Sequence, residues 1–539
     1  MGSLILDVRR ILDLLRVSLK YAATPLMRWL LHLPPKGPTI GERLRLAFEE
    51  LGITYLKLGQ FLTMRFDILP VEICNELNRL FETVTPINLQ EARAVVEAEL
   101  KAPAEQLFRE FDWNPIAAAS VAQVHVAYTR ANEKVAVKVQ RPGIARLFAA
   151  DMRNLRRMVR VIDALGIAGA FSATQVTNQF ASWTENEMDF ELEARSAERI
   201  RQNAAPYEII PKIHWSLTTK RVLTMEFVEG VSLAKIAATL DAGHIDQLAR
   251  MLPNLNVEKA GRNIAFAVLR QFFVYGFFQG DPHPGNVLIR NDNTVAFVDF
   301  GIFGQLTVEQ RENFAGFLEN LALGNIEQSF RHYVRQHAPT AETNLPAFET
   351  QAKLIMRLWY ETSVSPFATA KQRHMGRYAV WMIEAIRRHK LRTDPNVLLV
   401  WRALYVLDAS SERLSEYFDM MGQVRAFFLE FRPGPLGRIA KMVVDPDRNA
   451  AIFRLVREAP AYSETFWDHF TLGETPFPVL ANESGGTHRA GNRKVMWLVL
   501  GVIGLSLGAA VQSPHLDGQF KVTVAVALLT GWLLARRIS

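Results

Sequence analysis

The pattern of apolar and polar positions changes twice along the 539 residues of the chain. Up to about Phe111, apolar residues recur at the spacing of helices that bury one face. Between Trp113 and Gly143, short alternating runs separated by turn residues indicate β-strands. Helical spacing returns from Leu147, interrupted by further strand-like runs at 209–222 and before Asp299. The pattern therefore predicts an α+β protein.

The first 38 residues are predicted to form an amphipathic helix that ends at the stiff segment Pro34–Pro38. Basic residues, among them Arg9, Arg16 and Lys20, interrupt its apolar positions too often for a signal peptide or a spanning helix. Two interpretations remain open. The helix lies on an anionic membrane surface, or it packs its apolar face on the protein core.

Two segments near the end of the chain, Val495–Val511 and Val522–Ala535, contain no charged residue. They predict a transmembrane hairpin within residues 486–539, and a buried helical hairpin is the alternative. Basic residues flank both outer ends of the pair. The positive-inside rule then predicts that the outer ends and the large preceding domain face the cytoplasm.

Composition excludes some classes of function. Lys and Arg total 62 against 55 Asp and Glu, a formal charge of +7 that suits an anionic membrane surface. Basic and aromatic residues form no platform of the kind that binds nucleic acid, so nucleic acid is not an expected partner. Cys74 is the single cysteine, so an intrachain disulfide is impossible.

The strand-rich region, residues 113–225, has the layout of an amino-terminal kinase lobe. In such a lobe, a loop covers the nucleotide phosphates and a following strand supplies a lysine. Lys138, in the run VAVKV, is the candidate lysine, although an isolated strand lysine is otherwise a surface residue. The candidate nucleotide-binding residues around the alanine-rich turn are Ile116, Ala117, Ala118, Ala119, Ser120, Val121, Ala122, Gln123 and Val124.

A kinase-like site also needs a carboxylate on a nearby helix that pairs with the strand lysine. The predicted helix at 173–203 offers Glu187, Asp189 and Glu193. Glu193 is the preferred partner of Lys138, but these residues alone leave the choice open.

An acidic linker is predicted between the two lobes. The run LTMEFVEG passes from an apolar strand into this linker, where Glu226 and Val228 are expected to offer backbone groups to an adenine ring. The linker opens the predicted carboxyl-terminal lobe, residues 226–350.

The segment 278–301 contains the strongest chemical pattern in the chain. Asp281 and Asn286 have the spacing of a kinase catalytic loop, and Asp299 begins a complete D-F-G after a strand. Asn286 and Asp299 are therefore predicted to hold Mg²⁺ against the phosphates of ATP or ADP, and Asp281 to orient or deprotonate the acceptor. Because Mg²⁺ prefers oxygen ligands, His283 is expected to stabilise the loop by hydrogen bonding instead.

Two departures from protein kinases affect the predicted reaction. The phosphate loop reads AAAS at 117–120, where protein kinases have G-x-G-x-x-G, so the loop is expected to approach the phosphates differently. Gly301 is followed almost directly by a predicted helix, without A-P-E or a long activation loop. The platform that docks peptides is then missing, which favours a small molecule or lipid as the target.

These motifs together resemble the UbiB family of atypical, protein-kinase-like proteins. The resemblance rests on LKLGQ from Leu56, AAASVAQVH from Ala117, VAVKVQRPG from Val135, EMDFELEA from Glu187, GDPHPGN from Gly280 and VDFG from Val298. It covers residues 40–310 by motif and the remainder by layout.

The resemblance implies a bilobal kinase-like fold with a helical extension, residues 39–112, that folds over the active site. It also implies an acidic motif that works with this extension, which leaves Glu193 to pair with Lys138. The residues with this regulatory role are Lys57, Gly59, Gln60, Glu187 and Asp189. Residues 351–485 are predicted to form a helical carboxyl-terminal region without an interpretable motif.

The function that the resemblance implies is an ATPase or atypical kinase that supports ubiquinone biosynthesis at the bacterial inner membrane. Its expected partners are anionic lipid, quinone-precursor lipids and other ubiquinone-biosynthesis proteins, and a homodimer is compatible with it. Two alternatives remain. The chain is a small-molecule phosphotransferase, or it is a scaffold that binds nucleotide without catalysis.

Overall fold

The computed structural model describes most of the chain up to Phe431 and, within it, all the predicted kinase motifs. The described residues are 2–30, 37–63, 65, 68–81, 86–164, 172–414 and 418–431, and they fall in one compact unit, Met1–Pro435. Over these ranges, no helix combines the length and apolar character needed to cross a membrane. The predicted transmembrane hairpin lies outside the described residues.

Helices form most of the described structure. They are α1 (Gly2–Leu30), α2 (Ile40–Leu51), α3 (Ile53–Thr63), α4 (Val71–Leu77), α5 (Leu89–Leu100), α6 (Ala104–Leu107), α7 (Ile144–Ala164), α8 (Ala173–Glu187), α9 (Phe190–Arg201), α10 (Leu233–Asp241), α11 (Ile245–Met251), α12 (Val257–Arg270), α13 (Val308–Ala322), α14 (Ile326–Val334), α15 (Leu345–Val364), α16 (Ala370–Arg373), α17 (Met375–Arg388), α18 (Pro395–Leu414) and α19 (Met420–Phe431). A π-helical turn, Gln271–Tyr275, extends α12.

The strands in the described part of the chain are short and form four sheets. They are β1 (Phe108–Phe111), β2 (Ala117–Ala118), β3 (Ala122–Thr129), β4 (Lys134–Gln140), β5 (Glu208–Ile209), β6 (Val222–Glu226), β7 (Val231–Ser232), β8 (Phe277–Gln279), β9 (Val287–Ile289), β10 (Val295–Phe297), β11 (Phe303–Gln305), β12 (His337–Ala338) and β13 (Arg392–Thr393).

The amino-terminal lobe is built on an antiparallel sheet in the order β1–β3–β4–β6, with β2 also paired to β3. In β4, Val135, Val137 and Val139 are fully buried in a cluster that includes Val95 and Val96 of α5. Because side chains alternate along a strand, Lys138 lies on the opposite face of the sheet. The hydrophobic pattern of β4 thus fixes the direction of the predicted nucleotide-binding lysine.

Two segments differ from the helical pattern predicted for them. Phe108–Phe111 pairs with β3 as an edge strand instead of ending the helical extension, and its two phenylalanines are more buried than the charged residues between them. The helix predicted at 173–203 breaks at Met188, because the carboxylate of Asp189 accepts the Leu192 N–H (3.2 Å) and starts α9 as its N-cap.

The helical extension packs on α7 and α8, which are inserted between β4 and α9. Its apolar residues share one core with Val17 of α1 and with residues of these two helices: Phe48, Leu51, Tyr55, Phe61, Leu77 and Leu80 with Phe148, Met152, Leu155, Phe180 and Ala181. Helix α1 is joined to α7 by ion pairs from Arg10 to Asp151 and from Arg153 to Asp7. The insertion therefore supports the extension beside the amino-terminal lobe.

The carboxyl-terminal lobe and the helices after it share one hydrophobic core. That core also contains Cys74 and Ala122, extends in the chain to Phe428 and includes the fully buried Trp359 and Trp401. The boundary predicted between residues 350 and 351 falls inside α15. Residues 351–431 thus contribute directly to the lobe that carries the catalytic loop.

Candidate functional site

Lys138 lies at the centre of the charged cluster between the lobes. Its Nζ donates to both carboxylate oxygens of Glu193, at 2.8 and 2.9 Å, and lies 3.5 Å from Oδ1 of Asp299. Glu193 enters from the first turn of α9, where its side chain is fully buried, and also accepts the Phe300 N–H (3.3 Å). The predicted pairing of Lys138 with Glu193 is present, and Asp299 completes a triad.

Burial and charge act against each other in this triad. Burial opposes the charged form of Lys138, but Asp299 and Glu193 outweigh it and raise the Lys138 pKa. For Glu193, burial dominates over the attraction of Lys138 and raises the carboxyl pKa to about 7. Burial also opposes ionisation of Asp299, but Lys138 and the Gly301 N–H lower its pKa. Lys138 is thus held as a cation and Asp299 as an anion.

Asn286 and Asp299 lie at the same end of a β-hairpin. Strands β9 and β10 pair Val287 with Phe297, and the next residue, Val298, donates its N–H to Asn286 O at 3.1 Å. One amide oxygen and one ionised carboxylate are then offered together, and the Asp299 side chain is 40% exposed. This oxygen-donor set fits Mg²⁺, which is bound in kinases by one or two such groups with phosphate oxygens.

His283 shapes the loop that precedes Asn286. Its backbone carbonyl accepts the Asn286 N–H (2.7 Å), and its ring Nδ1 accepts the Gly285 N–H (3.3 Å). The contacts fit the predicted role of His283 in stabilising the loop.

A glutamine joins the two catalytic segments. Gln279 is buried at the end of β8, and its side-chain amide donates to the carbonyls of Asp281 (2.5 Å) and Asp299 (3.3 Å). Its backbone N–H donates to Gln271 Oε1 (2.9 Å), and Gln271 Nε2 donates to Glu208 Oε1 (2.5 Å). A buried polar chain therefore sets the distance between the catalytic loop and the D-F-G segment.

The side chain of Asp281 has an unexpected charged neighbour. Nη2 of Arg402, on α18, lies 3.2 Å from Asp281 Oδ1. This oxygen is shielded from solvent but receives no well-directed hydrogen bond from the residues that the structure describes. The contact between Arg402 and this oxygen is therefore ionic.

The alanine loop is a tight turn. Ala119 N–H donates to Ala122 O (2.7 Å), and Arg141 closes the turn by donating to Ala119 O (3.0 Å) and Val121 O (2.8 Å). All residues of 116–124 are described, and none has the positive φ that favours glycine. Alanine thus suits this backbone, and the loop differs in conformation from a loop that depends on glycine.

Side chains of the loop divide into two groups. Ile116, Ala117 and Ala119 are exposed and Ala118 is half-buried, whereas the side chains from Ser120 to Gln123 are buried. Gln123 accepts the Ile87 N–H (2.9 Å) and contacts His125 at 2.8 Å, which ties the loop to the extension. Val124 pairs with Lys138 across β3 and β4.

The predicted adenine-binding edge follows β6. Glu226 donates its N–H to Lys212 O (2.8 Å) and accepts the Lys212 N–H on its carboxylate (3.2 Å). Its carbonyl, and not its N–H, is therefore the group suited to an adenine. Val228 lies half-buried in the linker that follows, and Phe227 anchors this linker through Lys134 O (3.1 Å).

Lys57 brings the extension to the site. Its Nζ donates to Glu187 Oε1, and Glu187 lies beside the D-F-G glycine, where a Cβ on Gly301 would be 3.4 Å from Glu187 Cγ. Burial raises the Asp299 pKa and Lys138 lowers it. Lys57 also lowers this pKa, but its effect is smaller. Lys57 and Glu187 therefore form one electrostatic cluster with the nucleotide-site residues.

Gly59 and Gln60 act differently from Lys57. A Cβ on Gly59 would lie 2.2 Å from Leu80 Cδ1 and 3.0 Å from Phe48 Cδ2, so glycine is required by close packing. Gln60 is half-buried, and its carbonyl accepts the Thr63 hydroxyl (2.7 Å). Among the described residues, Lys57 contacts the charged cluster, whereas Gln60 has no contact with it.

Asp189 makes its contacts at the start of α9, and none with the described residues of the extension is seen. Its carboxylate caps α9, and its second oxygen lies 3.8 Å from Lys220. These are the contacts of an aspartate at an N-cap, where the carboxylate is engaged by the helix backbone, and the regulatory role of Asp189 stays a prediction. Asp189 indirectly orients Glu193 by fixing the first turn of α9.

Sequence reasoning missed Arg402 and Gln279. Gln279 gave one signal, since it is a polar residue that ends the apolar run before Gly280. Arg402 gave none, because nothing local distinguishes it from other arginines on helices.

The two lobes, the Lys138–Glu193 pair and the Asp281, Asn286 and Asp299 set define an atypical kinase-like protein. Residues 79–332 match the family of the ABC1 atypical kinase-like domain. The chain is 30% identical over 428 residues to "Probable protein kinase UbiB" of Marinobacter nauticus, covering 77% of this chain and 74% of the relative. It is 28% identical over 452 residues to the protein of the same name from Pseudomonas entomophila, covering 78% and 80%.

The chain belongs to the UbiB family of atypical kinase-like proteins. A Mycobacterium tuberculosis protein solved in complex with erythromycin is also similar, with 21% identity and a TM-score of 0.49, over 70% of this chain and 91% of that one.

Proposed function

We propose that this chain is a Mg²⁺-dependent ATPase or atypical kinase that acts at a membrane in ubiquinone biosynthesis. The observation that carries the nucleotide part is the triad of Lys138, Glu193 and Asp299 beside Asn286. In this arrangement Lys138 would bind the nucleotide phosphates that are not transferred, and Asn286 and Asp299 would hold the metal. A bound Mg²⁺ would neutralise negative charge on the phosphates.

A small acceptor suits this site better than a peptide. After Gly301 the chain enters β11, which pairs with β8, and α13 begins at Val308. The extension also contacts the site through Lys57 and Glu187. Both features limit the room for a protein substrate, so water or a membrane lipid is the proposed acceptor. Quinone-precursor lipids are the proposed class of lipid.

Helix α1 offers a surface for lipid. One face is packed, with Asp7 and Val17 buried and Arg10 paired to Asp151. The opposite face carries apolar residues at helical spacing that are all at least half exposed: Ile5, Val8, Leu12, Leu15 and Leu19. Exposed basic residues flank this stripe: Arg9, Arg16 and Lys20. An apolar stripe with basic flanks suits the surface of an anionic membrane.

Attachment to the bacterial inner membrane is proposed on two grounds. The first is the exposed stripe of α1. The second is the pair of uncharged segments, 495–511 and 522–535, which lie outside the described residues. Both would hold the nucleotide site on the cytoplasmic side, close to lipid-embedded intermediates and other biosynthetic proteins.

The nucleotide part is tested with Asp299→Asn. We expect the affinity for Mg²⁺-ATP, measured by calorimetry, to fall at least about tenfold because a charged metal ligand is lost. Asp292→Asn is the matched control, since Asp292 lies in the turn of the same hairpin, with its side chain on Thr294. Unchanged Mg²⁺-ATP affinity in Asp299→Asn would overturn the metal assignment.

The membrane part is tested with vesicles. Phosphate release from Mg²⁺-ATP is measured with phosphatidylglycerol vesicles and with phosphatidylcholine vesicles, and we expect stimulation by the anionic lipid. Leu12→Glu with Leu15→Glu should weaken co-sedimentation with anionic vesicles, whereas Leu354→Glu, at another exposed apolar helix position, should not. Equal lipid binding by both variants would refute the role of α1.

A further inference from the structure

Helix α18 connects three parts of the molecule. Its Asn396 side chain accepts the Gln305 N–H (3.2 Å) in the strand after the D-F-G segment. Leu399 packs against both the core of the carboxyl-terminal lobe and the core of the extension. Arg402, one turn further on, reaches Asp281. The helix thus meets the catalytic loop, the D-F-G strand and the extension within two turns.

Arg402 is placed where a guanidinium needs an anion. Its side chain is only 8% exposed, and its neighbours Trp401 and Leu404 are fully buried. A buried cation is costly unless an opposite charge compensates it. Nη2 lies 3.2 Å from Asp281 Oδ1, so the carboxylate of Asp281 contributes to that compensation.

The 3.2 Å contact is made to one of the two carboxylate oxygens. Oδ1 faces Arg402, while the backbone carbonyl of the same residue is fixed by Gln279. Main chain and side chain of Asp281 are therefore anchored from two different elements, β8 and α18. The orientation of Oδ2, the oxygen left for the acceptor, then depends on Arg402.

We propose that Arg402 is a positioning residue that orients the Asp281 carboxylate toward the phosphoryl acceptor. It touches neither nucleotide nor acceptor and adds no chemical step. Its removal leaves the nucleotide-binding residues in place but lets the carboxylate rotate. The proposal rests on the proposed phosphoryl-transfer or hydrolysis function of the same site.

The experiment uses the full chain in phosphatidylglycerol vesicles. Arg402→Met should lower kcat for phosphate release about tenfold to a hundredfold, because a small misplacement of a catalytic group costs that much. KM for Mg²⁺-ATP should stay within about twofold, since ground-state binding is not altered. Arg402→Lys, which keeps the charge, should recover part of kcat.

Two comparisons separate positioning from structure. Arg425→Met is the matched control, because Arg425 is a half-buried arginine whose Nε donates to Ala322 O (3.1 Å). It should lower the melting temperature without changing kcat. In an Asp281→Asn background, Arg402→Met should have no further effect on kcat, since residues that act as one unit are not additive.

Each result decides one of the two ideas. Additive effects of Arg402→Met and Asp281→Asn on kcat, or a raised KM with kcat unchanged, would overturn the positioning role. A wild-type chain without phosphate release would overturn the proposed function instead. In that case, melting temperatures still test the contact. They are compared for wild type, Arg402→Met, Asp281→Asn and the double variant, and strictly additive shifts would show that Arg402 and Asp281 do not interact.

Discussion

Arg10 and Asp151 form a buried ion pair that joins α1 to α7. Arg10 donates to Asp151 through Nε (2.6 Å) and Nη2 (3.0 Å), and Nη2 also donates to Leu51 O (2.9 Å). The side chains are 12% and 0% exposed. Arg10→Met removes the cation and all three hydrogen bonds while keeping a side chain of similar length.

The expected cost follows from burial. Removing one partner of a buried pair costs about 3–5 kcal/mol, because the remaining charge is left without compensation. Lys20→Met is the control on the same helix, since Lys20 pairs with Glu50 but is 57% exposed. An exposed pair contributes about 1 kcal/mol or less.

Hydrogen–deuterium exchange of α1 amides measures this difference locally. If α1 opens from the unit before global unfolding, Arg10→Met should speed its exchange by about a hundredfold to several thousandfold, at about 1.4 kcal/mol per factor of ten. Lys20→Met should speed it less than about tenfold. Arg10→Met with Asp151→Leu should recover much of the protection. Equal exchange rates in Arg10→Met and Lys20→Met would refute the conclusion that the Arg10–Asp151 ion pair holds α1 on α7.

Two further predictions concern packing and pH. Gly59→Ala should lower the melting temperature, because its Cβ would overlap Leu80 and Phe48. Overpacking costs about 1–3 kcal/mol, which exceeds the roughly 1 kcal/mol gained in helix propensity. An unchanged melting temperature would contradict the close contact. Burial raises the pKa of Glu208 to about 7 against the Gln271 hydrogen bond, from an ordinary 4.5. The folded state then binds more protons between these values, so the free energy of unfolding should fall by about 3 kcal/mol as the pH rises from 4.5 past 7. Glu208→Gln should flatten that slope in urea titrations at pH 5 and pH 8, and a slope equal to that of wild type would exclude Glu208 as its source.

Sequence spacing predicts much of the arrangement of the candidate site because its pieces are local. Asp281, Asn286 and Asp299 lie within one loop and one hairpin, where residue order sets geometry directly. Lys138 is fixed by strand alternation, whereas the choice of Glu193 depends on the family resemblance. Short-range rules of this kind can be read without tertiary structure.

The rest of the site depends on contacts between distant segments. Arg402 meets Asp281 only because α18 packs into the carboxyl-terminal lobe, and no local pattern encodes that approach. The helix break at Asp189 has a different reason. An aspartate inside a long helical pattern can act as an N-cap only if the preceding helix ends just before it, and the local sequence does not mark that end. Phe108–Phe111 became a strand because β3 offered an edge to pair with.

The path of the chain through the site has a consequence for synthesis. The charged cluster uses Lys57 from the extension, Lys138 and Glu193 from the amino-terminal lobe, Asp299 from the hairpin, and Arg402 beside Asp281. A ribosome therefore releases α1, with its exposed apolar stripe, long before it releases the last of these residues. No nascent fragment that stops before residue 402 contains the whole cluster, so the exposed apolar stripe of α1 is synthesised first and the charged cluster is complete only afterwards.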